Sequence, residues 1–322
     1  MTMRYRPLGR TGLEVSVLGY GSWGIGKGMW VGADDEASRS SLRRAVEQGV
    51  NFIDTALVYG DGHSEELVGE VIRGASETVY VSTKVPPKNK RWPSPPGTRA
   101  EDAFPGDWIV ECTEQSLRSL GLDTIDVQQF HVWSDDWVGQ GDWLDAIGRQ
   151  KTAGKIRFFG VSINDRQPAN AIRLFESGVV DTVQVIYHIF EQAPEDELFA
   201  AVERANVGVI VRVPFDEGGL TGKVTPETEF PPGDFRTGYF GGGRKQETWD
   251  RVQAIASDLE IPIERLPEIA LRFCFTHPAV STVIAGMRAL RNVDANAAAV
   301  DAGPLLDEQI EILRRHRWDI DR

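Results

Sequence analysis

Short, apolar, β-branched runs alternate along the chain with longer stretches whose apolar residues recur every three to four positions. These two periods separate buried parallel strands from the helices that connect them. After a hairpin predicted over 4–14, strands are expected at 16–19, 50–54, 78–84, 125–130, 156–161, 182–186, 207–213 and 281–285. Helices are expected at 36–48, 64–73, 108–120, 143–153, 168–177, 195–204, 245–259 and 263–275, with closing helices at 293–300 and 307–316.

Eight β/α repeats with no linker-like shift in composition favour one α/β domain over residues 1–322. The expected fold is a (β/α)8 TIM barrel with an N-terminal β-hairpin and two extra helices, rather than a doubly wound open sheet. The open-sheet alternative lacks its fingerprint: Gly21, Gly24, Gly26 and Gly28 follow the first strand, but no G-x-G-x-x-G opens a helix there. Two long irregular stretches, 86–106 and 214–243, follow the third and seventh strands. In a barrel both lie over the C-terminal mouth, where active sites are assembled.

Charge narrows the partners. A formal net charge of −13 repels phosphate backbones and anionic membrane surfaces, so neither nucleic acid nor a membrane is expected as a partner. No apolar run is long enough to span a bilayer, and the basic, glycine-punctuated N-terminus lacks the apolar core of a signal peptide. A cytoplasmic protein is expected, with Cys112 and Cys274 as buried free thiols. His63, His131, His188, His277 and His316 show no metal-ligand spacing, and no G-x-S-x-G marks a serine hydrolase. Oligomeric state is left open.

Candidate chemistry gathers at three consecutive strand ends. Asp54 closes NFIDTA, Tyr59 follows in LVYGDG, Lys84 closes VYVSTK and His131 closes DVQQFH. A phenol, with an unperturbed pKa near ~10, needs a nearby cation before it can give up a proton at neutral pH. Lys84 supplies that charge, and a lysine facing a barrel interior needs a carboxylate such as Asp54 in turn. His131 can orient or donate to a carbonyl oxygen. Each residue also has a structural reading: Asp54 and Lys84 as an ion pair, Tyr59 as a rim aromatic, His131 as a core histidine. Four together at successive strand ends favour proton transfer to a carbonyl, and since no side chain delivers hydride, a nicotinamide cofactor is implied.

The segment FIDTALVYGDGHSEELVGEVI resembles the signature stretch of the aldo-keto reductases. RPLGRTGLEVSVLGYGSWGIG, VSTKVP, FHVW, GVSIN and QVIYHIF follow in that family's order, so the similarity spans nearly the whole chain. The resemblance implies a barrel that binds NADPH or NADP+, with NADH less expected, and transfers hydride reversibly to or from an aldehyde, ketone or sugar-type carbonyl. In that scheme Tyr59 is the general acid, Lys84 lowers its pKa, Asp54 holds Lys84 and His131 positions the carbonyl. The resemblance also implies Ser22 and Trp23 near the nicotinamide, Ser162, Asn164 and Gln184 at its carboxamide, and Val213, Pro214, Phe215, Asp216 and Glu217 along the pyrophosphate. Lys223 and Arg236 match belt positions over the pyrophosphate, and Gly286, Arg288, Asn292 and Asn296 match the adenosine phosphate site.

The chain departs from the family at three places, one of them the phosphate site, where Asn292 and Ala295 stand in place of a basic or amide residue and a glutamate. Ile163 stands between Ser162 and Asn164, and Arg212 stands where an aromatic ring often stacks on the nicotinamide. Arg212 is expected to face the substrate or a phosphate, and Arg288 to offer a bidentate group to a 2′-phosphate. Of Trp92, Trp108, Trp133, Trp137 and Trp143, most are expected to anchor loops, with Trp133 walling the substrate pocket. Together with Asp135, Asp136 and Asp216 it suggests a lining for neutral hydroxylated substrates. Two further readings stay open: a nicotinamide-binding sensor or regulatory subunit with slow catalysis, as in potassium-channel β subunits that resemble this family, and a sugar or polyol dehydrogenase.

Overall fold

The computed structural model describes residues 3–318. Two short strands, β1 (Tyr5–Pro7) and β2 (Glu14–Ser16), pair antiparallel ahead of the barrel. The barrel strands are β3 (Leu18–Gly21), β4 (Phe52–Asp54), β5 (Tyr80–Val85), β6 (Ile125–Phe130), β7 (Ile156–Ser162), β8 (Thr182–Ile186), β9 (Gly208–Arg212) and β10 (Val280–Gly286). All neighbours are parallel, and β10 pairs back onto β3 to close the ring. The hairpin seals the N-terminal end, where Leu8, Leu13 and Val15 pack against Phe52, Val127, Ile210 and Ile284 from the strands.

The helices are α1 (Asp35–Glu47), α2 (His63–Gly74), α3 (Ala100–Ala103), α4 (Gly106–Leu120), α5 (Trp143–Thr152), α6 (Ile172–Glu176), α7 (Leu198–Ala205), α8 (Arg236–Tyr239), α9 (Arg244–Asp258), α10 (Leu266–Thr276), α11 (Leu290–Asp301) and α12 (Asp307–Arg314). Local chemistry sets their limits. At α1 the Asp34 carboxylate accepts from the Ala37 amide at 2.9 Å, and Asp35 and Glu36 complement the positive end of the helix dipole. Ser38, Ser41, Leu42 and Ala45, three to four residues apart, turn one face of α1 inward. Helix α4 ends at Gly121, whose φ of 62° terminates it in the left-handed conformation.

The predicted helix over 168–177 is helical only at Ile172–Glu176. Asn170 is drawn away from helical geometry, donating from Nδ2 to the Trp133 carbonyl at 2.9 Å and accepting from the Asp135 amide at 2.9 Å. Short amide side chains compete in this way with the helical backbone. The helix predicted from 195 begins at Leu198, behind a 3-10 turn at Ala193–Glu195 that contains Pro194. Residue 16, predicted in the first barrel strand, belongs to the hairpin, and β3 starts at Leu18.

Packing of α2 on α4 depends on Gly69, where a Cβ atom would lie 2.1 Å from the Leu120 carbonyl oxygen. Helix propensity alone favours alanine there by about 1 kcal/mol. Overpacking against immobile backbone costs about 1–3 kcal/mol and should win. Gly69→Ala is therefore expected to lower the urea unfolding midpoint. Gly74→Ala, in the same helix with open space around it, should leave the midpoint unchanged or raise it.

Candidate active site

Strand register brings polar side chains to the barrel axis near the C-terminal mouth. Asp54 pairs with Gly21 and Ser82, Lys84 with Gln129, and Ser162 with Gln184. Lys84 Nζ donates to Asp54 Oδ1 at 2.5 Å and to the Thr55 carbonyl at 2.7 Å. Asp54 Oδ2 accepts from Gln184 Nε2 at 2.8 Å and from Gln129 Nε2 at 3.2 Å. The ammonium group is 0% exposed and the carboxylate 2%, so the pair is held entirely by protein groups. Breaking such a pair by removing one partner costs about 3–5 kcal/mol, because the other charge is left enclosed.

Tyr59 is fixed by close backbone packing. A Cβ at Gly26 would lie 2.9 Å from the carbonyl group of Tyr59, and one at Gly60 would lie 1.9 Å from the Gly26 oxygen. The two glycines thus let the loop after β3 press directly on the loop that carries the phenol. Behind it, Ser64 bonds to Ser22 at 2.7 Å and to Thr55 at 3.0 Å, and Thr83 donates to the buried Glu65 carboxylate at 2.6 Å. The serine and glutamate of HSEEL therefore tie α2 to β3 and β5. They steady the loop and do not face the mouth.

The Tyr59 ring lies with its centroid 5.2 Å from Lys84 Nζ and 5.9 Å from the His131 ring. Burial raises the pKa of Tyr59; Lys84 pulls it back, Asp54 adds to the rise and Arg212 opposes it. The phenol is thus protonated at neutral pH, beside a cation able to stabilise its anion. His131 is held well below the usual imidazole range by burial, then by Lys84 and Arg212, so its ring is neutral. Its Nδ1 is enclosed with no hydrogen-bond partner. A neutral imidazole retains one N–H that can donate to an oxygen.

The residues expected to hold a nicotinamide nucleotide surround this centre. Ser22, Ser162, Asn164 and Gln184 are buried at strand ends, and Trp23 stacks near Tyr59 with centroids 6.2 Å apart. Asn164 Nδ2 is engaged by the Trp133 carbonyl and Gln167, whereas its Oδ1 is enclosed without a partner. That orphaned acceptor suits a carboxamide N–H. In the stretch from Val213 through Pro214 and Phe215, left-handed φ values of 58°, 48° and 54° occur at Val213, Asp216 and Glu217. A β-branched residue in that region stores about 1–3 kcal/mol of strain, of the kind concentrated at ligand clamps. The Asp216 carboxylate itself points into a buried network, accepting from Tyr239 at 2.5 Å and Arg244 at 2.8 Å.

At the other end of the cleft, Gly286 is exposed at the tip of β10, Asn292 is half-buried, and Asn296 keeps an enclosed, unpartnered Nδ2. Arg288 donates from Nη1 to the Val31 carbonyl at 2.9 Å and packs near Trp30. Lys223 is exposed. Arg236 donates from Nε and Nη2 to Asp234 at 2.8 and 2.7 Å and lies over the Trp30 ring at 4.1 Å. Phe235 closes the cleft, its ring 4.7 Å from Trp23 and its amide donating to the Met29 carbonyl at 3.1 Å. The loops after β3 and β9 thus meet across the mouth. The residues present fit a dinucleotide, with unpartnered polar atoms at both ends of the cleft.

A model described as the aldo/keto reductase family matches residues 17–317. The chain belongs to the aldo/keto reductase family. Among its relatives, the aldo-keto reductase YhdN of Bacillus subtilis (strain 168) is 34% identical over 236 residues, covering 73% of this chain and 69% of that protein. Two solved structures, each 27% identical, cover 100% of this chain and 98% of their own. They are the holo form of aldo-keto reductase AKR11C1 from Bacillus halodurans, at a TM-score of 0.78, and the glycerol dehydrogenase AKR11B4 from Gluconobacter oxydans, at 0.77. This aldo-keto reductase is accordingly an oxidoreductase on a TIM barrel.

Against the reductase scaffold, some sequence expectations need correction. Trp133 is 0% exposed, stacked on Phe130 and edge-on to Trp137 and Trp143, and does not wall a pocket. Asp135 accepts from the Trp133 indole at 2.9 Å and from the Arg173 amide at 3.0 Å, so it is structural. Trp92 takes the place expected of Trp133: its ring meets His131 edge-on at 5.9 Å and remains 44% exposed. Gln129 was also missed. Its signal was present as two adjacent glutamines, both buried, inside a core strand.

Glu217 is pushed up to about 8, chiefly by burial and then by Asp216. A carboxyl group whose folded pKa exceeds its unfolded value stabilises the fold below the unfolded pKa, and that stability is lost as pH rises toward 8. In melting-temperature scans from pH 5 to 9, the wild type should lose stability relative to Glu217→Gln as pH rises toward 8. Parallel curves for the two proteins would mean that Glu217 has the same pKa folded and unfolded.

Proposed function

We propose that this oxidoreductase reduces the carbonyl group of small aldehydes or ketones with NADP(H), using Tyr59 as the proton donor, and that the same residues run the reverse reaction. The observation that carries the reading is the enclosed Lys84 ammonium, held by Asp54 and Thr55, beside the Tyr59 ring. The bound nucleotide supplies the hydride. Tyr59, kept protonated by desolvation of its half-buried phenol, gives its proton to the carbonyl oxygen, and Lys84 stabilises the phenolate left behind. Neutral His131 donates a second hydrogen bond to that oxygen and polarises it. Trp92 and Trp23 bound the mouth with apolar surface, which suits an uncharged substrate. Likeness to the glycerol dehydrogenase supports a small hydroxylated compound as one such substrate.

Tyr59→Phe is expected to lower carbonyl turnover by about 10²–10⁴-fold, with nucleotide binding retained when followed by tryptophan fluorescence quenching. Near-normal turnover in that variant would assign the proton to another group. At the adenosine end, Arg288 is assigned to the 2′-phosphate. Arg288→Met should weaken NADPH binding by roughly tenfold or more while leaving NADH little changed, as loss of a charge-assisted contact requires. An equal effect on both nucleotides would remove Arg288 from 2′-phosphate recognition.

A further inference from the structure

Arg212 ends β9 at the mouth, and its guanidinium is anchored on one side only. Nη2 donates to Asp165 Oδ1 at 2.6 Å and to the Ile163 carbonyl at 3.1 Å. Nε is enclosed and makes no hydrogen bond. The charge acts on both Tyr59 and His131, lowering the pKa of each. Two cations therefore lie at this end of the barrel, Lys84 on β5 and Arg212 at the end of β9 against the Ile163 carbonyl, and they are compensated unequally. Lys84 is matched by a carboxylate that is itself out of water, whereas the Asp165 side chain is 59% exposed and the Arg212 side chain only 20%. Water screens the Asp165 charge more than that of Arg212, so a positive field remains on the mouth side.

Hydride transfer restricts where the nicotinamide ring can lie. The donating carbon must come within about 3–3.5 Å of a carbonyl carbon whose oxygen meets Tyr59. The ring then shares the electrostatic surroundings of Tyr59 and His131. Its two redox forms differ by one charge, since the reduced ring is neutral and the oxidised ring is cationic. A fixed cation beside it distinguishes the two.

We propose that Arg212 sets the redox preference of nicotinamide binding, disfavouring the oxidised ring relative to the reduced one, and that Asp165 moderates the effect. This inference rests on the nicotinamide reading given above. It involves a binding equilibrium and no new bond. Its consequence is that the reduced nucleotide binds tightly and the oxidised product leaves readily, which limits product inhibition when carbonyls are being reduced. Glu217, protonated below about pH 8, adds little negative charge to oppose Arg212 near neutrality.

The test is titration of wild type, Arg212→Met, Arg212→Lys and Asp165→Asn with NADPH and, separately, NADP+, followed by tryptophan fluorescence quenching at pH 7. The readout is the ratio of the two dissociation constants. Arg212→Met should shrink the NADP+ to NADPH ratio by roughly tenfold, mainly through tighter NADP+ binding, as expected for removing a partly compensated charge a few ångströms away. Arg212→Lys should keep most of the ratio, and Asp165→Asn should widen it severalfold. Asp165→Asn changes only a half-exposed carboxylate, so it decides the matter even if the Arg212 variants fail to fold. An unchanged ratio in Asp165→Asn, or in a folded Arg212→Met that binds both nucleotides, overturns the proposal. Failure of the wild type to bind either nucleotide sinks the nicotinamide reading itself, and this inference with it.

Discussion

An ammonium group fully removed from water is the constraint around which the barrel mouth is organised. Lys84 cannot remain charged there without a carboxylate, and the carboxylate cannot remain ionised without donors of its own. Asp54 answers the first need, and Gln129 and Gln184 answer the second from the strands across the axis. The Thr55 carbonyl fills a further donor direction on the ammonium. Four strand ends are thereby tied to one charge pair, and the position of the cation is defined to within a hydrogen bond.

Placement of the phenol follows a different logic. Tyr59 lies on a loop, where side-chain position is usually less determined than on a strand. Here the loop is clamped from both sides: Gly26 and Gly60 bring two backbones into contact above, and Ser64 and Glu65 anchor the following helix below. Burial then raises the phenol's pKa while the neighbouring cation limits the rise. The result is an acid that keeps its proton at rest and has a stabilised conjugate base, a combination that neither burial nor charge alone would produce.

Periodicity made the barrel legible because each strand is buried on both faces and each helix on one, so two different repeats mark the chain. The strands at Ile125–Phe130 and Thr182–Ile186 begin and end where the sequence pattern predicts them. Asp54, Lys84 and His131 were legible for a related reason, since a charged or polar residue closing an apolar strand has few places to go except the mouth. Loop residues were harder. Trp133 and Trp92 look alike in sequence, and only the three-dimensional paths of their loops decide that one is sealed in an aromatic cluster and the other stands over His131. Likewise, nothing local announces that Asn170 will unwind the start of a helix to reach the Trp133 carbonyl.

The plug of Leu8, Leu13 and Val15 at the far end of the barrel carries a consequence for traffic. With that floor packed by apolar side chains, Tyr59 is approached from the opposite rim among the described residues. The Phe235 amide, donating to the Met29 carbonyl, draws the loops after β3 and β9 together over that open end, with the Phe235 ring against Trp23.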